Sequence, residues 1–144
     1  MLKREDMLCF SLGVAMRRIS KIYADALAGH EITPPQLFLL SCLEAVDGQK
    51  PRDLAEQVCL DASSLTGLLD RTEKAGLIER RPDPDDRRAL RIYLTDQGRK
   101  TLCGLHGVVE EIHARIEREF FADYSPQERQ MFTQMLTRMR EVTA

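Results

Sequence analysis

Apolar residues recur every three or four positions along most of the chain and switch to a two-residue alternation in one region. Leu8, Leu12, Ala15, Ile19, Ile22 and Ala26 repeat at helical spacing, with Met16, Tyr23 and Leu27 as a second strip. That pattern predicts a first helix that is apolar on more than one side. Thr33 stands ahead of Pro34 and Pro35 and the run Leu37, Phe38, Leu40 and Leu43, which predicts a capped second helix with proline in its first turn. Pro51, Arg52, Asp53, Leu54, Ala55 and Val58 predict a short amphipathic third helix, joined to a fourth through residues 58–60. Two short helices with a tight connection make a helix-turn-helix.

Asp61 carries a short carboxylate suited to the unpaired amides and positive dipole end of a helix start, so the fourth helix begins near Ala62. Leu65, Leu68, Leu69 and Thr72 gather on one side of it, while Ser63, Ser64, Thr66, Gly67, Asp70, Arg71 and Lys74 cover the other. Gly76 stands where the pattern stops and suits a C-terminal cap of positive φ. Leu77 to Arg81 then read as a strand. Leu90, Ile92 and Leu94 alternate with Ala89, Arg91 and Tyr93 as a half-buried strand does. Between them Pro82, Asp83, Pro84, Asp85 and Asp86 are turn formers, which places Arg87 and Arg88 near the tip of a hairpin. Further on, Leu102, Leu105, Val109, Ile112 and Ile116 line a long helix after Thr95. Ser125 caps a last helix carrying Met131, Met135, Leu136 and Met139. The wide apolar faces at both ends suggest packing between subunits. The fold class is therefore mainly α with a small β part. A winged helix-turn-helix lobe over residues 31–98 carries a two-stranded wing. An N-terminal helix within 1–30 and C-terminal helices within 99–144 carry these faces and form the dimerisation region.

The segment LTGLLDRTEKAGLIERRPDPDDRRALRIYLTDQGR resembles the most diagnostic part of the MarR family of transcriptional regulators. The likeness is densest in LLDRTEKAGLIER, in the wing of Asp83, Asp86, Arg87 and Arg88, and in Leu94, Thr95, Asp96 and Gly98 ahead of the next helix. It extends over nearly the whole chain. The resemblance implies a two-fold homodimer whose first and last two helices interlock as an intertwined dimerisation region and hold two winged lobes one DNA turn apart, roughly 34 Å, on a palindromic operator in double-stranded DNA. Repression is the default mode, because occupancy of a promoter blocks polymerase.

On that basis Ser63, Ser64, Thr66 and Arg71 face the major groove, where hydroxyls bond base edges or phosphates and a guanidinium reads guanine or clamps a phosphate. Arg88 matches the family's wing-tip arginine that enters the minor groove, Asp86 would hold its guanidinium in place, and Arg87 reaches the backbone. Taken without the resemblance, Asp86 and Arg71 read as turn-stabilising or solvated charges. The Arg87–Arg88 pair in this hairpin reads as a DNA contact.

The 144 residues suffice for one domain with a modest core. The net charge of −2 at first argues against a nucleic-acid partner, but its distribution does not. Residues 71–100 carry nine Lys or Arg against six Asp or Glu, and residues 101–144 carry five against seven. The apolar stretch Met7–Met16 is about half of the roughly 20 residues a bilayer span needs, and no signal peptide is evident. Cys9, Cys42, Cys59 and Cys103 lie far apart with no C-x-x-C pairing, which argues against disulfides and structural zinc. The cytoplasm is the expected location, with no membrane partner and no cofactor.

The resemblance also implies a cleft for a small aromatic or phenolic effector. Arg17 lies where some members place a carboxylate-binding arginine, and Gln36 would be its neighbour; packing of the Arg17 stem over the dimer helices is the competing reading. Cys9 within LCF, with Tyr23 fourteen residues on, resembles the organic-peroxide-sensing branch, whose cysteine is oxidised to sulfenic acid. Gly13 and Pro34 stand where that branch has tyrosines, and Cys103 is not at the resolving position, so a buried, inert Cys9 is the alternative. Cys42 and Cys59, among apolar neighbours, read as core residues. His106, Glu110 and His113 share one helix face, which leaves a zinc-responsive regulator as a further alternative, although no metal site is assigned. No phosphate loop, G-x-S-x-G or H-E-x-x-H motif occurs, and Cys103 with His106 lacks an oxyanion hole and an orienting residue, so no enzyme is expected. A helical protein-interaction module without DNA binding is the alternative from a different class.

Overall fold

The second, fourth and last helices start where the sequence supplies a cap in the computed structural model, which describes Lys3 and residues 7–141. The order is α1 (Leu8–Ala26), α2 (Pro34–Ala45), α3 (Pro51–Val58), α4 (Ala62–Lys74), β1 (Ile78–Pro82), β2 (Leu90–Leu94), α5 (Asp96–Phe120) and α6 (Pro126–Glu141). At α2 the Gln36 Oε1 accepts the Thr33 amide at 2.9 Å, one arm of a capping box. At α6 the Ser125 amide donates to Glu128 Oε2 at 2.8 Å, and the Glu128 amide donates to Ser125 Oγ at 3.3 Å. Among the described residues no helix is long and apolar enough to cross a membrane.

The chain forms two units, Met1–Val109 and Glu110–Ala144. In the first, Leu39, Leu40 and Leu43 of α2 and Leu54 of α3 are fully buried in one core with Leu65, Leu68 and Leu69 of α4, Ile78 and Ile92 of the strands, and Leu102 and Leu105 of α5. In the second, Phe121 meets Tyr124 and Phe132 with ring centroids 6.5 and 5.6 Å apart. Glu117 pairs with Arg129 there, and none of the α6 side chains is buried.

The strands pair antiparallel, with Ile78 opposite Leu94, Arg80 opposite Ile92 and Pro82 opposite Leu90. The alternation read from the sequence holds at Ile92 and Leu94, which are buried, but Leu90 is 44 % exposed. It lies where the hairpin runs past the edge of the core, so alternation there has nothing to pack against. A third edge joins the wing root: the Ile92 amide donates to the Gln49 carbonyl at 2.9 Å. The Gln49 side-chain amide is held by the carbonyls of Cys42 and Val46, each at 2.9 Å. Cys59 also departs from expectation. It is exposed, with φ +53° at the end of α3, because the tight turn of the two helices needs a left-handed residue there.

The turn after α4 shows why glycine stands at two positions. Gly76 has φ +74°, its amide donates to the Glu73 carbonyl at 2.8 Å, and the Leu77 amide donates to the Thr72 carbonyl at 3.1 Å. This is a Schellman ending. The start of α5 then closes against the same turn. Thr95 Oγ1 donates to the Gly76 carbonyl at 2.6 Å and accepts the Gly98 amide at 3.0 Å. A Cβ on Gly98 would lie 2.1 Å from the Leu77 carbonyl oxygen, inside any permitted contact. Gly98→Ala is therefore expected to destabilise the protein by about 1–3 kcal/mol or more, as measured by urea unfolding at fixed protein concentration. Unchanged stability would show that the α4–β1 turn yields freely.

Candidate nucleic-acid interface

The α4 helix is divided lengthwise. Leu65, Leu68, Leu69 and Thr72 are buried, whereas Ser63, Ser64, Thr66, Asp70, Arg71 and Lys74 are exposed. Asp61 caps it as expected, with Oδ1 accepting the Ser64 amide at 2.8 Å and Oδ2 the Ser64 hydroxyl at 2.7 Å. These bonds hold the Asp61 carboxyl below its usual range, the Ser64 amide first among the causes. Thr66 Oγ1 donates to the Ala62 carbonyl at 2.8 Å. Ser64 and Thr66 thus keep their protons within the helix and turn lone pairs outward, toward any donor such as a base amino group. Arg71 folds back along the helix over Gly67, where a Cβ would stand 3.3 Å from its terminal nitrogen.

The hairpin tip is organised by two aspartates. Asp86 Oδ1 accepts the Arg88 amide at 3.0 Å, so the contact described for Asp86 is to the Arg88 backbone rather than to its guanidinium. Arg87 and Arg88 are both exposed in this turn. Asp83 is only 2 % exposed and carries more of the structure. Its Oδ1 accepts the Asp85 amide at 2.9 Å, and its Oδ2 accepts Arg91 Nε at 2.8 Å with Lys50 Nζ at 3.8 Å. Arg91 also donates to the Gly48 carbonyl at 2.9 Å. The wing is thereby fastened to the loop before α3. The Asp85 amide, then Arg91 and Lys50, outweigh burial and hold the Asp83 carboxyl below its usual range.

A second cluster ties α4 to β1. Arg80 reaches Asp70 at 2.6 Å and pairs with Glu73, which also accepts the Arg80 amide at 3.1 Å. On the same strand Arg81 lies over the Tyr93 ring, 4.7 Å from its centroid. Sequence reading singled out none of Asp83, Arg91, Arg80 or Glu73 for these roles. The one available signal was the alternation of charge along LIERRPDPDD, which is equally the mark of a solvated strand.

The remaining predicted residues are scattered. Arg17 is exposed on α1 beside Gly13, and Gln36 is buried with its oxygen engaged in the α2 cap, so no hydrogen bond joins them among the described residues. Cys9 is exposed on the single chain. Tyr23 lies fourteen residues along the same helix, about 21 Å at 1.5 Å per residue, and packs edge-on against Phe38 at 5.1 Å. Burial pushes its phenol pKa up. Within one chain the two do not meet. His106 lies 3.8 Å from Glu44, and among the described residues no group of three or more His, Cys, Asp or Glu is placed to hold a metal ion.

Residues 32–90 match the model of the MarR family. SarZ of Staphylococcus aureus is 31 % identical over 113 residues, covering 78 % of this chain and 74 % of SarZ. The chain belongs to the MarR family. TtmR of Methylorubrum extorquens is 35 % identical over 106 residues, and the organic hydroperoxide resistance transcriptional regulator of Bacillus subtilis is 36 % identical over 97. These alignments take in 74 % and 67 % of this chain but 52 % and 66 % of those relatives' own lengths. The transcriptional repressor CouR bound to a 23-mer DNA duplex superimposes with a TM-score of 0.80 at 27 % identity, covering 96 % of this chain and 98 % of CouR.

Because the Asp83 carboxyl is held below its unfolded value of about 3.9, its contribution is complete above that pH and is lost as pH falls through the lower folded value. The wing amides, that of Asp85 first, should therefore lose protection relative to their intrinsic exchange rates below about pH 4, while the wing stays closed at neutral pH. Asp83→Asn should show open-wing exchange already at neutral pH. Equal amide protection in both proteins at pH 7 would remove Asp83 from this role.

Proposed function

We propose that the protein is a transcriptional regulator, not an enzyme, that binds a palindromic operator in double-stranded DNA as a homodimer. In this reading it represses by occupancy and is released by a small aromatic or phenolic effector, the last part resting on family membership alone. The observation that carries the DNA-binding reading is the pairing of two exposed surfaces on one lobe. The outward face of α4 offers hydroxyls and Arg71, and the tip offers Arg87 and Arg88. Helix and wing of this kind fit a major groove and an adjacent minor groove. CouR, of the same fold, is known on a duplex.

Dimerisation supplies the occupant for exposed apolar residues at both ends. Leu8 is 59 % and Met16 63 % exposed on α1, and Met131, Phe132, Met135, Leu136 and Met139 are exposed on α6. Such side chains are costly to leave in water, at about 25 cal/mol per Å² of apolar surface, and a second copy of the chain covers them in the proposed dimer. A DNA target places the work of the protein in the cytoplasm.

A second reading makes the regulator respond to oxidants. It is favoured by the exposure of Cys9 and by the likeness to the Bacillus subtilis organic hydroperoxide resistance regulator. The same-chain Tyr23, fourteen residues along α1, is too far to assist the thiol.

Two outcomes test these readings. Arg88→Ala should weaken duplex binding and lower the slope of log affinity against log salt by about one, with the mass in size-exclusion chromatography unchanged. Wild-type affinity for the variant at moderate salt would remove the wing from binding. For the oxidant reading, cumene hydroperoxide should release the wild-type protein from DNA and leave Cys9→Ser bound; equal release of both excludes Cys9.

A further inference from the structure

We infer that Arg80 is a positioning residue for duplex binding, a brace that holds the wing at one angle to α4 while itself touching no DNA. The inference rests on the DNA-binding function proposed above. α4 and β1 are separated by Ala75, Gly76 and Leu77, and Gly76, with φ +74°, is the least restricted residue of that connection. Rotation there would swing the wing as a lever. At about 3.3 Å per strand residue the tip lies roughly 20 Å from Gly76. A swing of about 10° would then move Arg88 by about 3–4 Å over that lever, more than half of the roughly 6 Å width of a minor groove.

Arg80 spans this pivot with three bonds. Its amide donates to Glu73 Oε1 at 3.1 Å, one guanidinium nitrogen pairs with Glu73 Oε2, and another reaches Asp70 Oδ1 at 2.6 Å. Both Glu73 oxygens are used, and Asp70 and Glu73 share one side of α4 at three-residue spacing. The planar fork of arginine fixes orientation as well as distance, which a lysine ammonium does not. The Arg80 side chain is 21 % exposed against 37 % for Glu73 and 62 % for Asp70, so solvent and salt weaken the Glu73 pair less than the Asp70 pair. Ile92, the residue opposite Arg80 on β2, is fully buried. The brace therefore joins α4 to the root of the wing strand across the Gly76 connection.

A competing role is charge masking. Asp70 and Glu73 would repel phosphates if Arg80 did not neutralise them, and this predicts that removing their charges restores binding. The brace predicts that it does not. The probe is a duplex enriched by the wild-type protein from a random-sequence pool, with dissociation constants read by fluorescence anisotropy.

Arg80→Met should weaken binding about tenfold or more, with dimer mass and cooperative melting retained. Arg88→Ala should then cost almost nothing further, since a misplaced tip no longer reaches its groove, and the Arg80→Met, Asp70→Asn, Glu73→Gln triple variant should stay weak. Arg80→Lys should recover only part of the loss. Glu73→Gln enters the same cycle with Arg88→Ala should Arg80→Met fail to fold. Additive losses for Arg80→Met and Arg88→Ala, or full recovery in the triple variant, would overturn the brace alone. A wild-type protein that enriches no duplex would overturn the DNA-binding reading and the brace together.

Discussion

The outward face of α4 is available as a surface because the inward face has nowhere else to go. Leu65, Leu68 and Leu69 are at most 3 % exposed and Thr72 is fully buried, its hydroxyl donating to the Leu68 carbonyl at 2.7 Å. Burial of each leucine stabilises the lobe by about 1.5–3 kcal/mol. A turn of α4 by one residue, about 100°, would bring Thr66 and Asp70 toward the core and leucine out. The rotation of the helix about its own axis is set by this burial, and with it the side on which Ser63, Ser64, Thr66 and Arg71 stand. A helix so fixed needs only a defined exit to place the wing, and the Gly76 ending followed by the Thr95–Gly98 closure provides it.

What could be read from the chain alone follows from how locally each feature is encoded. The start of α4 at Asp61, its stop at Gly76, the proline entry of α2 and the turn formers Pro82 to Asp86 all depend on residues within four positions of one another, where periodicity and capping chemistry act. The contacts that fasten the wing do not. Asp83 meets Arg91 across the hairpin and Lys50 from another element, Arg91 reaches back to Gly48, and Arg80 spans ten residues to Asp70. In sequence these are charges among charges, indistinguishable from a solvated face. Cys59 was misread for the related reason that apolar neighbours suggested burial, while the backbone turn required a left-handed residue at the surface.

The same distinction resolves the charge of the chain. A net charge of −2 and a local excess of cations near the wing describe totals, yet the cations there are of two kinds. Arg80, Arg81, Arg91 and Arg99 are paired with Asp70 and Glu73, Glu79, Asp83, and Asp47 respectively, so they build the lobe and present little net field. Arg71 and Lys74 on α4 and Arg87 and Arg88 at the tip carry no ion pair among the described residues, and all four are exposed. A phosphate backbone responds to uncompensated charge within a Debye length, about 8–10 Å at ordinary ionic strength, and not to the total. Asp47, Asp70, Glu73, Glu79 and Asp83 are consumed as internal partners, whereas Asp85 and Asp86 stay exposed beside Arg87 and Arg88 and offset part of their charge. The spacing of cations that remain, along one helix face and at one turn, is what a groove would meet.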